Sequence, residues 1–478
     1  MKRTLILLAC TLVVLGLAAG GLWWMNSYSP DGGEKPATSA AAETVTLFTS
    51  SEAPFTQLEV TNPSGSYRLL PQGEQYTVEG YEAQHLNQVK LKSAVETFHN
   101  VTATVVDAQP QDLAQFGLAT PQATATAQFG DASFTLTVGG QAPGSSSYYA
   151  MVPGDSSLYL VYGLESLFWT EKNFITTILT SPPDPTGQSV TLPQSVTLDG
   201  AVRPQPLVLG SRETTQQEQM AGISGLVILS HNNKELDYDK GAKALATLLS
   251  VTADKALVYK PTDEQLAQYG LAEPYSTADF TWLDAQGREQ SCSLRVSQPK
   301  DGIAYLVQAG NPVLYEITAS KLPWLELQYQ DIASRLFLTP FIGDVRTLTV
   351  EGPGVEEVYT LSTIQDADGK DDYQAVNSKG AQMDMALFKK LYQCVIGLPG
   401  ETFTTEAPDP AAQPLLTVTY AYKDGRPDDV LQLLPGPTLQ AYVSLNGVTE
   451  FLTKSKYADT VLQNIHRLEA GESILSLY

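Results

Sequence analysis

Apolar and polar residues alternate with a period of two over much of this chain. The alternating runs come in pairs broken by turn residues. Ala123, Ala125, Ala127 and Phe129 alternate with Thr and Gln; past Gly130 and Asp131, Phe134, Leu136 and Val138 alternate mostly with Thr. Such a pair predicts a hairpin with one buried face. Upstream, Phe55, Leu58 and Val60, then Tyr67–Leu69, then Tyr76–Val78 predict three strands. Asn62–Gly65 and Pro71–Gly73 punctuate them. Tyr148–Val152 and Leu158–Val161 predict another hairpin around Pro153, Gly154 and Asp155. The period changes at residues 86–98, where Val89, Leu91, Val95 and Phe98 predict one apolar face of a helix. Leu164–Leu179 predicts helical turns that close the unit.

The same order then recurs. Leu113–Pro121 reads LAQFGLATP and Leu266–Pro274 reads LAQYGLAEP, an offset of 266 − 113 = 153 residues, which predicts a duplicated domain. In the second copy Val196–Leu198 and Leu207–Leu209 predict strands and Ala242–Leu249 the helix. Val251–Ala253 matches Val101–Ala103. Ala278–Leu283 with Cys292–Val296, and Ala304–Val307 with Val313–Ile317, predict its hairpins; Leu322, Trp324, Leu325, Ile332 and Leu336 predict closing packing residues. A third, diverged copy runs from Phe341. Leu348–Val350, Val358–Leu361 and Leu416–Tyr420 predict strands, and Leu387, Phe388, Leu391, Tyr392 and Val395 a helical stripe. Ala441–Val443 and Glu450–Leu452 predict a last hairpin. Pro408, Pro410 and Pro414 stand where the nonamer has decayed. The repeat is domain-sized, far from a solenoid period.

The nonamer itself predicts a short helix with a firm stop. Thr262 and Gln265 have capping-box spacing, and Leu266 and Tyr269 share a face. Gly270 supplies a left-handed end over which Leu271 packs back, and Pro274 releases the chain into a strand. A phosphate-cradling loop needs more glycines directly after a strand.

The first residues set the compartment. Lys2 and Arg3 precede an apolar run from Leu5 to Met25, which ends at Trp23 and Trp24. Its 21 residues suffice to span a bilayer, and the basic leading side predicts a cytoplasmic N-terminus with the bulk of the chain extracytoplasmic. The alternative is a lipidated Cys10, since Leu7–Cys10 resembles a lipobox, though only five apolar residues (Leu5–Ala9) precede that cysteine. Residues 27–44, rich in Pro, Gly, Ser and Ala, predict a flexible tether.

Charge and reactive residues then narrow the function. A net charge of −23 argues against nucleic-acid binding, which needs a basic footprint. Cys10, Cys292 and Cys394 form no paired framework, and His85, His99, His231 and His466 are scattered singly. Gly222–Gly225 misses the spacing of a nucleophile elbow. Asp131, Asp155, Asp284 and Asp424 sit in turns, where aspartate bonds locally. The run Asp366–Asp372 has its glycine at the wrong place for an EF-hand and predicts a solvated hairpin tip. Ser145–Tyr149, SSSYY, is the cluster that would stack on a sugar, although tyrosine is also a favoured strand residue.

The FGLxxP segment at Phe116–Pro121, its counterpart at Tyr269–Pro274, the alternating strand that follows, Gly139–Gly140 before Tyr148–Val152 and the N-terminal anchor resemble the bacterial family called domain of unknown function 4340. The resemblance covers most of residues 45–340. It implies no established activity and no catalytic residues, and it implies a membrane partner, since members are encoded near ABC-type transporter components. The second copy departs from it with Ser297–Pro299 in place of Gly139–Gly140.

The expectation is an α+β protein of tandem, mostly antiparallel sheets with covering helices after a transmembrane helix. Its parts are an anchor (1–26), a linker (27–44) and repeats at 45–182, 189–340 and 341–478. It is expected to be a non-enzymatic interaction module of the cell envelope, accessory to a transporter or envelope complex, with no catalytic, cofactor-binding or metal residue assigned. The alternatives are a carbohydrate or peptidoglycan binder and, third, an envelope hydrolase with convergent carboxylates.

Overall fold

A computed structural model describes residues 44–184, 186, 191–212, 225–231, 234–365 and 371–477. The expected anchor with Cys10, the tether up to residue 43, Gly222–Ser224 and Asp366–Lys370 lie outside the described residues. The chain forms two compact units, Met1–Ile175 and Thr176–Tyr478. Every strand pairing is antiparallel, as mostly expected for this α+β chain.

Unit 1 is built on one sheet. Its strands are β1 (Thr44–Thr49), β2 (Phe55–Asn62), β3 (Gly65–Gln72), β4 (Gln75–Val78), β5 (Asn100–Asp107), β6 (Ala123–Phe129), β7 (Ala132–Gln141), β8 (Ser147–Met151) and β9 (Leu158–Tyr162). They lie in the order β1-β5-β9-β8-β7-β6-β2-β3-β4. The alternation sets which face is buried: Ala123, Ala125, Ala127 and Phe129 on β6, and Phe134, Leu136 and Val138 on β7, are all in the core. Helix α1 (Gln88–Glu96) covers that face with Leu91, Ala94 and Val95. Val89 does not join them and is 79% exposed. It precedes Leu91 by two residues, about 200° around a helix, so it cannot share that stripe.

Unit 2 carries two sheets. The first has β10 (Ser195–Asp199), β11 (Leu207–Ser211), β12 (Leu226–Ile228), β13 (Lys234–Glu235), β14 (Lys255–Tyr259), β15 (Ser276–Leu283), β16 (Glu289–Val296), β17 (Ile303–Gln308) and β18 (Val313–Thr318), ordered β13-β12-β11-β10-β15-β16-β17-β18-β14. The second has β19 (Val345–Gly352), β20 (Val355–Gln365), β21 (Asp371–Val376), β22 (Thr402–Phe403), β23 (Leu416–Tyr422), β24 (Asp429–Pro435), β25 (Gln440–Leu445) and β26 (Val448–Lys454), ordered β21-β20-β19-β23-β24-β25-β26-β22.

All three sheets share one eight-strand order: β4-β3-β2-β6-β7-β8-β9-β5, β12-β11-β10-β15-β16-β17-β18-β14 and β21-β20-β19-β23-β24-β25-β26-β22. The first adds β1 outside β5, and the second adds β13 outside β12. The helices are α2 (Lys243–Ala246), α3 (Asp263–Gln268), α4 (Tyr329–Ile332), α5 (Met385–Ile396) and α6 (Lys456–Glu469).

Three local expectations change. Val251–Ala253 is not strand like Val101–Ala103; it is tied instead to Thr177–Thr180, with Leu179 N–H donating to the Val251 carbonyl at 2.9 Å. Leu322, Trp324, Leu325 and Ile332 are buried, but Leu336 is 43% exposed, in a bridge with Pro399. Helix α6, absent from the expected elements, packs Tyr457, Val461, Ile465 and Leu468 beside α5. Among the described residues no helix is long and apolar enough to cross a membrane.

Candidate functional site

Both nonamers end as their residues dictate. Gly117 and Gly270 adopt φ of +70° and +72°. Leu118 N–H donates back to the Leu113 carbonyl at 3.0 Å and Leu271 N–H to Leu266 at 2.8 Å; the glycine N–H groups reach Ala114 and Ala267 at 3.0 Å. These are the paired bonds of a Schellman stop. The aromatic residue before each glycine packs on a strand tyrosine, Phe116 on Tyr149 at 4.8 Å and Tyr269 on Tyr305 at 4.7 Å.

The glycine pair also has a packing role. A Cβ on Gly139 would overlap the Phe116 carbonyl and come within 2.9 Å of Leu118 Cγ, and one on Gly117 would lie 2.9 Å from Gly140 N. Gly139 therefore lets the nonamer lie directly on the end of β7, with Gly117 needed where the chain passes the Gly140 backbone. In unit 2 the approach is looser. A Cβ on Gly270 would meet only Ser297 Cβ, at 3.5 Å, which leaves room for Ser297–Pro299.

A second device fixes the turn after the last strand. In unit 1, Tyr67 donates to the Ser166 carbonyl at 2.6 Å, and Asn62 Nδ2 donates to Leu167 and Trp169 at 2.9 and 2.7 Å. In unit 2, Arg203 donates to Trp324, Leu325 and Leu327 at 2.8, 3.0 and 2.8 Å, and to the Asp199 carbonyl and the Ser276 hydroxyl. Burial pushes its guanidinium down to about 10.

The turn held by Tyr67 and Asn62 borders a groove in unit 1. One hollow of about 390 Å³ is lined by Ser93 of α1 and Thr97 at its C-terminal cap, Asn100 and Thr102 of β5, Tyr162 and Glu165. An adjoining hollow of about 250 Å³ shares Ser93, Thr97 and Glu165 and extends to Val89, Lys90 and Trp169. The Lys90 ammonium lies 5.4 Å from the Trp169 ring centre and donates to the Asn173 carbonyl at 2.9 Å. Tyr162, in the first hollow, is 72% exposed, and Val89, in the second, is 79% exposed. The groove thus offers two aromatic rings, hydroxyls, an amide, an ammonium and one carboxylate. The sequence signal for it was slight: Tyr162 continues the alternation of β9 onto the solvent face, and Val89 breaks the helical stripe.

The other candidates are placed elsewhere. Tyr148 and Tyr149 point to opposite faces, as neighbours in a strand must; Tyr148 stacks on Phe168 at 4.8 Å, and burial and Glu165 raise its hydroxyl pKa. They form no shared sugar platform. Asp155, Asp284 and Asp424 accept from backbone N–H groups within their own turns. Asp372, beside the expected acidic tip, pairs with Lys389 at 3.1 Å. Cys292 and Cys394 are free and buried, and burial raises the Cys292 thiol to about 11. Among the described residues no group of three or more His, Cys, Asp or Glu is placed to hold a metal ion.

Unit 2 brings together polar groups that sequence reasoning did not join. Tyr329 donates to Glu450 at 2.6 Å, His231 stacks on Tyr329 at 3.7 Å, and burial lowers the Lys234 pKa. Phe337 and Phe451 pack around the Lys234 ammonium at 4.9 and 5.6 Å. This cluster ties one sheet of unit 2 to the other. A last hollow, of about 380 Å³, lies between α5 and the tail residues Ile474–Leu477, which Asn464 fastens by bonds in both directions to the Leu475 backbone.

Residues 77–191 match the model of a family described as a domain of unknown function, DUF4340. The groove of unit 1 falls within that span. No curated protein and no solved structure matches the chain.

Proposed function

We propose that this chain is a non-enzymatic, membrane-anchored module of the bacterial envelope whose unit 1 groove docks a partner protein, a component of an ABC-type transporter or another envelope complex. One observation carries this reading: within the family-matched segment, Tyr162, 72% exposed, and Val89, 79% exposed, each line one of two adjoining hollows that share hydrogen-bonding groups. An exposed aromatic beside a groove of mixed polarity suits recognition, where a few anchors dominate affinity. Glu165 is the groove's carboxylate, and its other polar lining is hydroxyls, an amide and the Lys90 ammonium, which suits hydrogen-bonded docking. Lys2, Arg3 and the run Leu5–Met25 support the anchor, and the basic residues on its leading side support an extracytoplasmic body.

The test is site-specific photocrosslinking from Tyr162 in intact membranes, read by mass spectrometry. Transporter or envelope subunits are expected among the adducts, with loss of those adducts when Val89→Asp or Trp169→Ala is added. Unchanged adducts in those variants would sink the groove as the contact.

The composition of the groove favours a second reading, envelope carbohydrate. Trp169 and Tyr162 offer ring faces, and Asn100, Thr102 and Glu165 offer the polar partners that sugar hydroxyls need. Binding to peptidoglycan fragments that is lost in Trp169→Ala would move the assignment there.

A further inference from the structure

Among the described residues the three sheets end in six edge strands, and five of them are closed or guarded. On β4, Tyr76 N–H donates to Gln88 Oε1 at 2.9 Å and Gln88 Nε2 donates to the Tyr76 carbonyl at 3.0 Å, so a side-chain amide occupies the place of a neighbouring strand. At β13, Ser334 N–H donates to the Glu235 carbonyl at 2.8 Å. At β21, Met383 N–H donates to the Ala375 carbonyl at 2.9 Å. β22 has only two residues, flanked by the bond from Gly400 N–H to the Arg335 carbonyl at 2.7 Å. β14 is bracketed by Lys255 and Lys260, and edge charges resist strand addition.

β1 differs. Its six residues, Thr-Val-Thr-Leu-Phe-Thr, hold no charge and no proline. Within the described residues of unit 1, no hydrogen bond reaches its outer side. We propose that two copies of this chain associate through this edge, β1 against β1 in antiparallel pairing. The argument is the strand's complementarity to itself. Val45 lies opposite Ala103 and Phe48 opposite Val101, so both point to the core face; Thr44 and Thr49 lie opposite Thr104 and Asn100 on the outer face. The irregularity between Thr46 and Phe48 adds one residue and puts Val45 and Phe48 in phase. A two-fold axis between Thr46 and Leu47 therefore sets Val45 opposite Phe48 of the other copy, and Thr44 opposite Thr49, with the faces matched. Valine–phenylalanine and threonine–threonine pairs across strands are favourable. The chain carries −23 overall, yet the strand brings no like charges together at the contact. Such a contact uses the same patch twice and closes at two copies. It is independent of the groove.

The experiment is analytical ultracentrifugation of the full chain in mild detergent. A dimer is expected. Thr46→Lys, at an exposed position, is expected to weaken it by about tenfold or more by setting like charges beside the axis. A second measurement guards against misfolding of that variant: Thr44→Cys/Thr49→Cys in a Cys10→Ser background should form an interchain disulfide on oxidation, whereas Lys255→Cys on β14 should not. A monomeric chain without that crosslink overturns the proposal. So does a dimer indifferent to Thr46→Lys, and so does β1 crosslinking to a strand of a different protein.

Discussion

In the first sheet, Tyr67 and Asn62 take up the carbonyls of Ser166, Leu167 and Trp169; in the second, Arg203 alone takes up those of Trp324, Leu325 and Leu327. The two sets of carbonyls are related by one offset, 324 − 166 = 325 − 167 = 327 − 169 = 158. The requirement is common to both: a turn leaving the last strand exposes carbonyls toward the core, and each needs a donor. The donors differ in chemistry. A phenol and an amide meet the requirement at little desolvation cost. A guanidinium has enough donors to serve all three carbonyls at once, but it must leave water, which is why its pKa falls. The neutral solution leaves the outer side of the turn open, and that side becomes the groove wall carrying Glu165 and Trp169.

Breaking the charged solution should do the most harm. Arg203→Met leaves several buried acceptors without donors and should cost about 3–5 kcal/mol in urea unfolding. Arg203→Lys should recover only part of this, since one ammonium cannot reach all the acceptors. Alkaline pH probes the units differently. Burial raises the Tyr315 hydroxyl to about 12, and raises Tyr359, Tyr392 and Tyr420 in unit 2 as well; in unit 1 burial raises Tyr67, and Tyr148 and Tyr159 are raised too. Their folded pKa lies above the unfolded value, so the stability they contribute is complete below pH 10 and is lost as pH rises through the folded values. Tyr315 alone accounts for about 3 kcal/mol. Arg203 and Lys234, whose folded pKa values lie below the unfolded ones, oppose this. Unit 2 should therefore unfold before unit 1 in an alkaline titration followed by circular dichroism and limited proteolysis.

The two nonamers sharpen the comparison further. Gly117→Ala meets both an unfavourable φ and the Gly140 backbone, and should cost about 2–3 kcal/mol; Gly270→Ala meets the φ alone and should cost about 1 kcal/mol. Equal thermal shifts in the two variants would show that the closer packing of unit 1 contributes nothing. Asn62→Ala should cost about 1–2 kcal/mol, less than Arg203→Met because water can reach part of that turn. Tyr162→Ala should change stability by less than about 0.5 kcal/mol, which makes it a clean probe of binding.

Where the signal was local, the chain was readable. The alternation on β6 and β7 names the buried face residue by residue, and Gly117 and Gly270 mark their stops because only the left-handed region closes that turn. Val89 misled because an apolar residue near a stripe is not in it unless the helical angle agrees. Tyr457, Val461, Ile465 and Leu468 carry the period of α6, which lies beyond the hairpin expected to end that copy.

The sequence by itself determined the antiparallel, one-face-buried character of the sheets, the helix stops and the turn aspartates, since each follows from steric and hydrogen-bonding preferences within a few residues. Only the tertiary structure decided which buried carbonyls Arg203 would take, that Gly139 lies beneath Phe116, that Gln88 closes β4 while β1 stays open, and that Ser93, Asn100, Tyr162 and Trp169 line one groove. Those arrangements join segments up to 124 residues apart, and the need for a donor or a clearance exists only once folding has removed water from between them.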